Sequence, residues 1–354
     1  MSAVRRLGRL FLLLILLGVA AVIFLFHRLQ HPLRPSGPPR SATLLFPPGT
    51  PTSRIFQSLT REGVLYSAML SEAYFRIFRG GTSLQAGEYR FDCPTPIDEV
   101  IDHISRGDVV RYTVVVPEGL TAEETFELFW NQGLGTSESF RRSLARVDLL
   151  PGLAQGAPDL EGFLFPETYS VTRSNSARQI VERMVTEFRR RFTPEMRQGA
   201  HALGLTPREA VTLASIVEKE SGLAREGPII ASVYLNRLRH GMHLQADPTV
   251  AYALKRDGKW VGMVHRSDYT YESPYNTYLV AGLPPGPICN PGMNSLKAAV
   301  FPARTDYLYF VADESGGHTF SKTFEEHLRA IAVAHRVRAD AAREKGETAG
   351  PSQD

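Results

Sequence analysis

With 354 residues, 43% hydrophobic and 22% charged, the chain is long enough for two or three domains and has the make-up of a folded protein. A net charge of +3 is too small to point to nucleic acid. Cys93 and Cys289 stand far apart without a CxxC; two thiols cannot build a zinc site, and one disulfide is allowed but not implied. No HExxH or other metal-ligand spacing occurs, so no metal or cofactor is expected.

Residues 10–26, LFLLLILLGVAAVIFLF, carry no charge and follow Arg5, Arg6 and Arg9. Seventeen residues of helix span about 26 Å, enough for a thin hydrocarbon core and longer than the apolar part of most cleaved signal peptides. The expectation is an uncleaved single-pass anchor, residues 1–30, with a short cytoplasmic tail and an exported remainder. Arginines on both sides, including Arg34 and Arg40, leave the orientation undecided by charge. Residues 31–41 are Pro-rich and read as an extended spacer.

A small domain is expected over 42–120. Residues 42–46 read as a strand, 51–64 and 66–79 as helices, 84–91 as a strand, and 97–104 as a helix with Ile97, Val100, Ile101 and Ile104 on one face. Residues 109–116, VVRYTVVV, read as the strongest strand. A helix at 121–130 opens with a capping-box pair, Thr121 and Glu124. Residues 160–171 look irregular, and 176–192 form a helix ending in Arg189, Arg190 and Arg191, a dipole-matched terminus.

Residues 206–222, TPREAVTLASIVEKESG, spell one helix with both ends. Thr206 and Glu209 form a capping box, Pro207 suits the first position, and Gly222 suits a left-handed stop. Ala210, Leu213, Ala214 and Val217 define one buried face. Glu220 falls about 70° from the centre of that face and Glu218 about 90° on the other side. A carboxyl beside a packed face has its pKa raised by desolvation and becomes a general acid near neutral pH. Geometry leans to Glu220; both being solvated helix-end charges is the bland alternative. Another helix follows at 228–240, then one at 247–254 with Asp247 as N-cap and Pro248 first. Residues 271–292 hold too many Gly, Pro and Asn for regular structure, and so long an ordered loop is typically functional. A short helix at 295–299, a strand at 307–312, a turn at 316–318, a charged helix at 323–345 and a disordered tail at 346–354 complete the chain.

These motifs resemble those of the endolytic murein (lytic) transglycosylases of the MltG, or YceG-like, family. LASIVEKES (213–221), ASVYLNRLRHGMHLQADPTVAYAL (231–254), YNTYLVAGLPPGPICNPG (275–292), SLKAA (295–299), YLYFVADESGGHTFSKTFEEH (307–327) and EGFLFPETY (161–169) carry the resemblance, in matching order and spacing. FPPGT, AGEYRF and VVVPEG fit the family's LysM-like subdomain more loosely. The resemblance implies an α+β fold: a transmembrane helix, a LysM-like subdomain, and a larger, mainly helical catalytic domain over 121–345. It implies a protein of the cytoplasmic membrane with its catalytic part on the periplasmic side. Such a protein cuts nascent peptidoglycan strands internally between MurNAc and GlcNAc and leaves 1,6-anhydroMurNAc ends. Its partners are glycan strands, the bilayer through residues 10–26 and peptidoglycan synthases (penicillin-binding proteins).

The second Glu of EKE, Glu220, occupies the family's catalytic position. The chemistry needs one carboxyl, acting first as acid on the bridging oxygen and then as base on the sugar's C6 hydroxyl. Glu218, Asn236, Gln245, Asp247, Tyr275, Asn276 and Thr277 are the candidates for holding substrate; each also has a plain structural reading as cap, packing or turn residue. Two other functions remain open. One is a muramidase with Glu218, Glu226 or Asp247 as second carboxyl, and the other is a non-catalytic glycan-binding scaffold for cell-wall synthases.

Overall fold

The computed structural model describes residues 2–32, 40–313 and 316–344, with side chains for 7–32, 40–313 and 316–337. Most of the expected spacer and all of the tail at 346–354 lie outside the described residues. The fold mixes helix and strand and is mostly helical. It divides into two compact units, Met1–Thr113 with Ser170–Asn175, and Val114–Tyr169 with Ser176–Asp354.

The first unit begins with α1 (Ser2–Gln30), of which Leu7–Gln30 is long and apolar enough to cross a membrane. Strand β1 (Arg40–Phe46) leads into α2 (Thr52–Arg61) and α3 (Ala68–Phe78). β2 (Gly87–Cys93) returns antiparallel to β1, in register from Arg40 opposite Cys93 to Phe46 opposite Gly87. α4 (Ile97–Arg106) then lays Ile97, Val100, Ile101 and Ile104 against the ribbon, as its periodicity predicts. Phe46, Phe56, Leu59, Val64, Tyr89 and Phe91 complete the core, and Leu29 from the end of α1 joins it. The strand expected over 109–116 shortens to β3 (Tyr112–Val115). Gly107 ends α4 at φ 70°, and the next residues turn back to give the Val110 N–H to Glu88 O, so extended pairing starts later than the valines suggest.

In the second unit α5 (Ala122–Trp130) carries the expected box, Thr121 and Glu124 each closing on the other's backbone. α6 (Ser137–Leu144) follows, then β4 (Thr168–Val171), a strand in a stretch expected to be irregular; it pairs with β3, and the division between the units falls within both strands. α7 (Ala177–Arg191) is capped by Ser176 and Gln179. α8 (Pro194–Ala202) was not expected, although Thr193 before Pro194 is an ordinary helix start.

α9 (Pro207–Glu220) opens on the Thr206–Glu209 box. The reading of one buried face is corrected: every residue from Ala210 to Val217 is buried. α9 packs against α8 and against three later helices, α10 (Gly227–Arg239), α11 (Asp247–Arg256) and α12 (Met293–Val300). Its two interior hydroxyls close locally, Thr212 on Arg208 O and Ser215 on Thr212 O. Its end also differs from expectation. Ser221 leaves the helix extended (φ −84°, ψ 98°), and Gly222 does not adopt the left-handed conformation. Gly222 is small for another reason, since a Cβ there would sit 3.2 Å from Gly316 O. Residues 271–292 hold no helix or strand, as expected. After α12, β5 (Tyr309–Ala312) and β6 (His318–Ser321) form an antiparallel hairpin where only one strand and a turn were read, and α13 (Phe324–Glu344) closes the described chain.

Candidate active site

The candidate site is built around the last residue of α9, Glu220. Glu220 is half-buried, and burial raises its carboxyl from an ordinary 4.5 to about 7. The carboxylate of Asp247 pushes the same way, while a hydrogen bond and nearby positive charge oppose it. The bond comes from α10, where the buried Tyr234 phenol donates to Glu220 Oε1 at 2.9 Å. α9 and α10 pack side by side, which brings position 14 residues later in sequence against the carboxyl. Edge-on contact with Phe310 of β5, centroids 5.8 Å apart, fixes the Tyr234 ring.

One turn on, Arg237 is buried with its charge. Its Nε donates to Leu308 O (2.6 Å), its Nη1 to Leu244 O (2.9 Å), and its guanidinium lies over the Tyr309 ring at 5.1 Å. These contacts answer its donors with carbonyls rather than with a carboxylate, so its charge remains to act on Glu220. A cavity of about 270 Å³ opens here, lined by Glu220, Tyr234, Arg237, Leu244, Gln245, Asp247, Tyr278, Phe310 and His327. The His327 imidazole is held toward its neutral form by burial and by Arg237.

The cavity floor is strained. Gln245 has φ 47°, and it is the sole non-glycine with positive φ among the described residues. Thr277 holds it there. Thr277 O accepts from the Gln245 N–H (3.1 Å), Thr277 Oγ1 accepts from the Ala246 N–H (3.0 Å), and Thr249 Oγ1 lies 2.9 Å from Thr277 Oγ1. Next in line, Asp247 does not act as the expected N-cap. Ala246 occupies that place, and the Asp247 carboxylate takes the Tyr278 phenol at 2.5 Å and the Tyr269 phenol at 3.4 Å. Those two rings stack with centroids 4.3 Å apart, forming an aromatic wall beside the cavity.

Of the residues singled out from sequence, Glu220, Gln245 and Asp247 therefore meet in one cavity. Thr277 is buried and shapes its floor. Asn276 is fully buried; its amide donates to Tyr269 O and Tyr271 O, and its Oδ1 accepts from the Tyr278 N–H. Tyr275 is buried beside Tyr252, with the Arg256 guanidinium over its ring. These three hold the loop that presents Tyr278. Asn236 lies elsewhere, donating to Thr305 O and Tyr307 O and lining a separate polar cavity with Ser232 and Thr305. Glu218 accepts the Gly292 N–H at 3.0 Å, and the nearby Glu118 carboxyl is pushed up first by burial and then by the Glu218 charge. Glu226 is bound to His318, Oε2 to Nδ1 at 2.7 Å. A further buried carboxyl, Glu161, accepts the Ala122 N–H at the start of α5 and stands at about 8 through burial. Cys93 and Cys289 are both free.

A model of the YceG-like family matches residues 44–333, most of the chain and all of this cavity. The chain belongs to the YceG-like family. Among its relatives, the endolytic murein transglycosylase of Bacillus subtilis is 32% identical over 306 residues, 80% of this chain and 82% of the relative. That of Streptococcus pneumoniae serotype 2 is 27% identical over 320 residues, 82% of this chain but only 58% of the relative. The crystal structure of a yceG-like protein from Listeria monocytogenes aligns with TM-score 0.55 and 31% identity, over 82% of this chain and 98% of that one.

Within this YceG-like site, sequence reading missed Tyr234, Arg237, Tyr278, Phe310 and His327. Tyr234 was read as one more apolar position on a buried face. Its signal was available, since a buried tyrosine requires a partner for its hydroxyl.

Proposed function

We propose that this chain is a membrane-anchored lytic endotransglycosylase that cleaves nascent peptidoglycan strands internally between MurNAc and GlcNAc. What carries the reading is the carboxyl of Glu220, poised near neutral pH, hydrogen-bonded by Tyr234 and opening into a polar cavity. The relatives' shared name, endolytic murein transglycosylase, supports the same chemistry.

Protonated Glu220 gives its proton to the bridging oxygen, and the bond to the MurNAc anomeric carbon breaks with its electron pair leaving on that oxygen. The carboxylate left behind stabilises the oxocarbenium-like sugar and then takes the proton of the C6 hydroxyl. That oxygen attacks the anomeric carbon and closes the anhydro ring, so no water is consumed. Tyr234 engages Oε1, which leaves Oε2 to carry the proton. Gln245, Tyr278 and Asp247 offer polar groups to the sugars, and Asp247 also keeps the Glu220 proton in place.

In this reading α1 is the anchor, residues 42–120 form a LysM-like subdomain, and 121–345 form the catalytic domain on the periplasmic side, working beside peptidoglycan synthases. A second reading, hydrolysis, is favoured by one observation: a second carboxylate, Asp247, lines the same cavity. Glu218 and Glu226 are less suited to that role, being engaged by Gly292 and His318. The test is incubation of the full chain with uncrosslinked glycan and mass spectrometry of the new ends. Anhydro ends support the lyase, reducing ends support the hydrolase, and an intact, folded but inactive chain supports a scaffold.

A further inference from the structure

The outward face of α3 is apolar. Ser71, Tyr74 and Phe75 face the core of the first unit, so the opposite side should be polar in a water-facing helix. That side instead carries Met69, Ala73 and Ile77, spaced four residues apart, with Met69 76% and Ile77 73% exposed. Tyr66, just before the helix, and Phe78, at its end, are also exposed. The polar member of the stripe, Arg76, has a long stem and its charge is matched by Glu72 at 2.7 Å. A contiguous apolar face of this kind marks a contact surface.

Its position identifies what covers it. At the C-terminal end of α3, Tyr74 and Phe78 pack on Phe26, the last residue of the apolar run of α1, with centroids 5.5 Å and 5.7 Å away. At the other end, the Arg28 guanidinium lies 5.7 Å from the centre of the Tyr66 ring. Residues 26 and 28 differ by about 3 Å in rise along α1. Both ends of α3 therefore meet α1 at one level, where the apolar run gives way to polar residues. Gln30 locks the arrangement by donating to the Tyr74 hydroxyl and to Asp98.

We propose that α3 lies in the bilayer interface, with Met69, Ala73, Ile77 and Phe78 among the upper acyl chains and Tyr66 at the headgroups, on the leaflet where α1 emerges. Arg28 and Arg40, which line a cavity with Tyr66, face anionic phospholipid headgroups there. The first unit then rests on the membrane through two elements. The inference rests on the reading of α1 as an anchor and adds a second membrane contact to it.

The test uses the full chain with Cys93→Ser, reconstituted in nanodiscs of phosphatidylcholine and phosphatidylglycerol. Nitroxide labels are placed singly through Met69→Cys, Ile77→Cys, Glu99→Cys and Gly18→Cys, the last a site with open space around it. Collision rates with oxygen and with a water-soluble nickel chelate give depth. Oxygen rates several-fold above chelate rates at 69 and 77, with the reverse at 99, are expected. A deep label at 18 with chelate-accessible labels at 69 and 77 overturns the proposal while leaving the anchor intact. Labels at 69 and 77 shielded from both reagents also overturn it, because protein then covers the face. A water-exposed label at 18 removes the anchor, and this proposal with it.

Discussion

Tyr234 donates its phenolic proton to Glu220 Oε1 across the α9–α10 contact, so one hydrogen bond joins the two helices at the half-buried carboxyl. Burial favours the acid form of Glu220 and this bond favours the carboxylate. The balance leaves the group able to give and to retake a proton near neutral pH. Tyr234→Phe removes this bond and leaves only the nearby positive charge to favour the carboxylate. Losing a hydrogen bond to a charged group is worth about 1.5–3 kcal/mol, so the cleavage rate should fall by about 10- to 160-fold. The alkaline limb of the pH–rate profile should also move to higher pH. A lower rate with an unmoved limb would mean that Tyr234 only packs.

Asp247 acts in the opposite sense, since its charge helps to keep Glu220 protonated. Asp247→Asn should move the alkaline limb to lower pH, while the product ends stay anhydro. Loss of activity at every pH would instead make Asp247 a direct participant, as hydrolysis requires.

Glu220 should cost stability in the form that the second half-reaction needs. Its folded pKa is raised from 4.5 to about 7. The stabilising effect of the proton is therefore fully present below about pH 4.5 and is lost as pH rises through about 7. Glu220→Gln should be more stable than the parent by about 1–2 kcal/mol at about pH 8.5, with the gap closing toward about pH 5. Thermal melts across that range measure it, and a constant gap would contradict the ionisation.

Glu161 gives the second unit a separate alkaline sensitivity. Its carboxyl, at about 8, accepts the Ala122 N–H through both oxygens and lies 3.5 Å from the Tyr252 hydroxyl. The raised pKa again means stability present at low pH and lost as pH rises through about 8. Glu161→Gln should flatten the fall in melting temperature above that pH, whereas Glu161→Ala should destabilise at all pH values because the buried Ala122 N–H loses its acceptor.

Thr277 tests the strained floor. Thr277→Val keeps the shape but removes the acceptor of the buried Ala246 N–H, at a cost of about 1–3 kcal/mol. The Thr277 carbonyl still accepts the Gln245 N–H, so the substitution loosens the hold on Gln245 from one side only, and cleavage should fall more than stability alone explains, seen as a lower kcat in protein that remains folded at the assay temperature.

What could be read in advance follows from which forces are local. The boxes at Thr121–Glu124 and Thr206–Glu209 are written within four residues and formed as read. The periodicity of α4 predicted its buried face because one stripe meets one ribbon. α9 defeated the same reasoning, since four helices surround it and a wheel assumes a single partner. The sequence separates Glu220 from Glu218 only by a slight angular preference, and the structure gives the two residues different surroundings, a polar cavity and the Gly292 N–H. Arg237 and Tyr278 were illegible because their roles come from distant segments converging. The Tyr278 phenol reaches Asp247 across 31 residues, and Arg237 reaches Leu308 across 71. Asn276 and Thr277 offer polar groups in the sequence, but the Asn276 amide satisfies the loop's own backbone at Tyr271 O and the Thr277 hydroxyl satisfies the Ala246 N–H ahead of α11.

The central claim is that Glu220 serves as both acid and base without water. The most direct measurement is cleavage of uncrosslinked glycan in heavy-oxygen water by the full chain and by Glu220→Gln, with mass spectrometry of the new ends. Acid–base action of Glu220 without water predicts anhydro ends free of heavy oxygen, lost with Glu220→Gln. Reducing ends carrying heavy oxygen, or anhydro ends persisting in the variant, would contradict it.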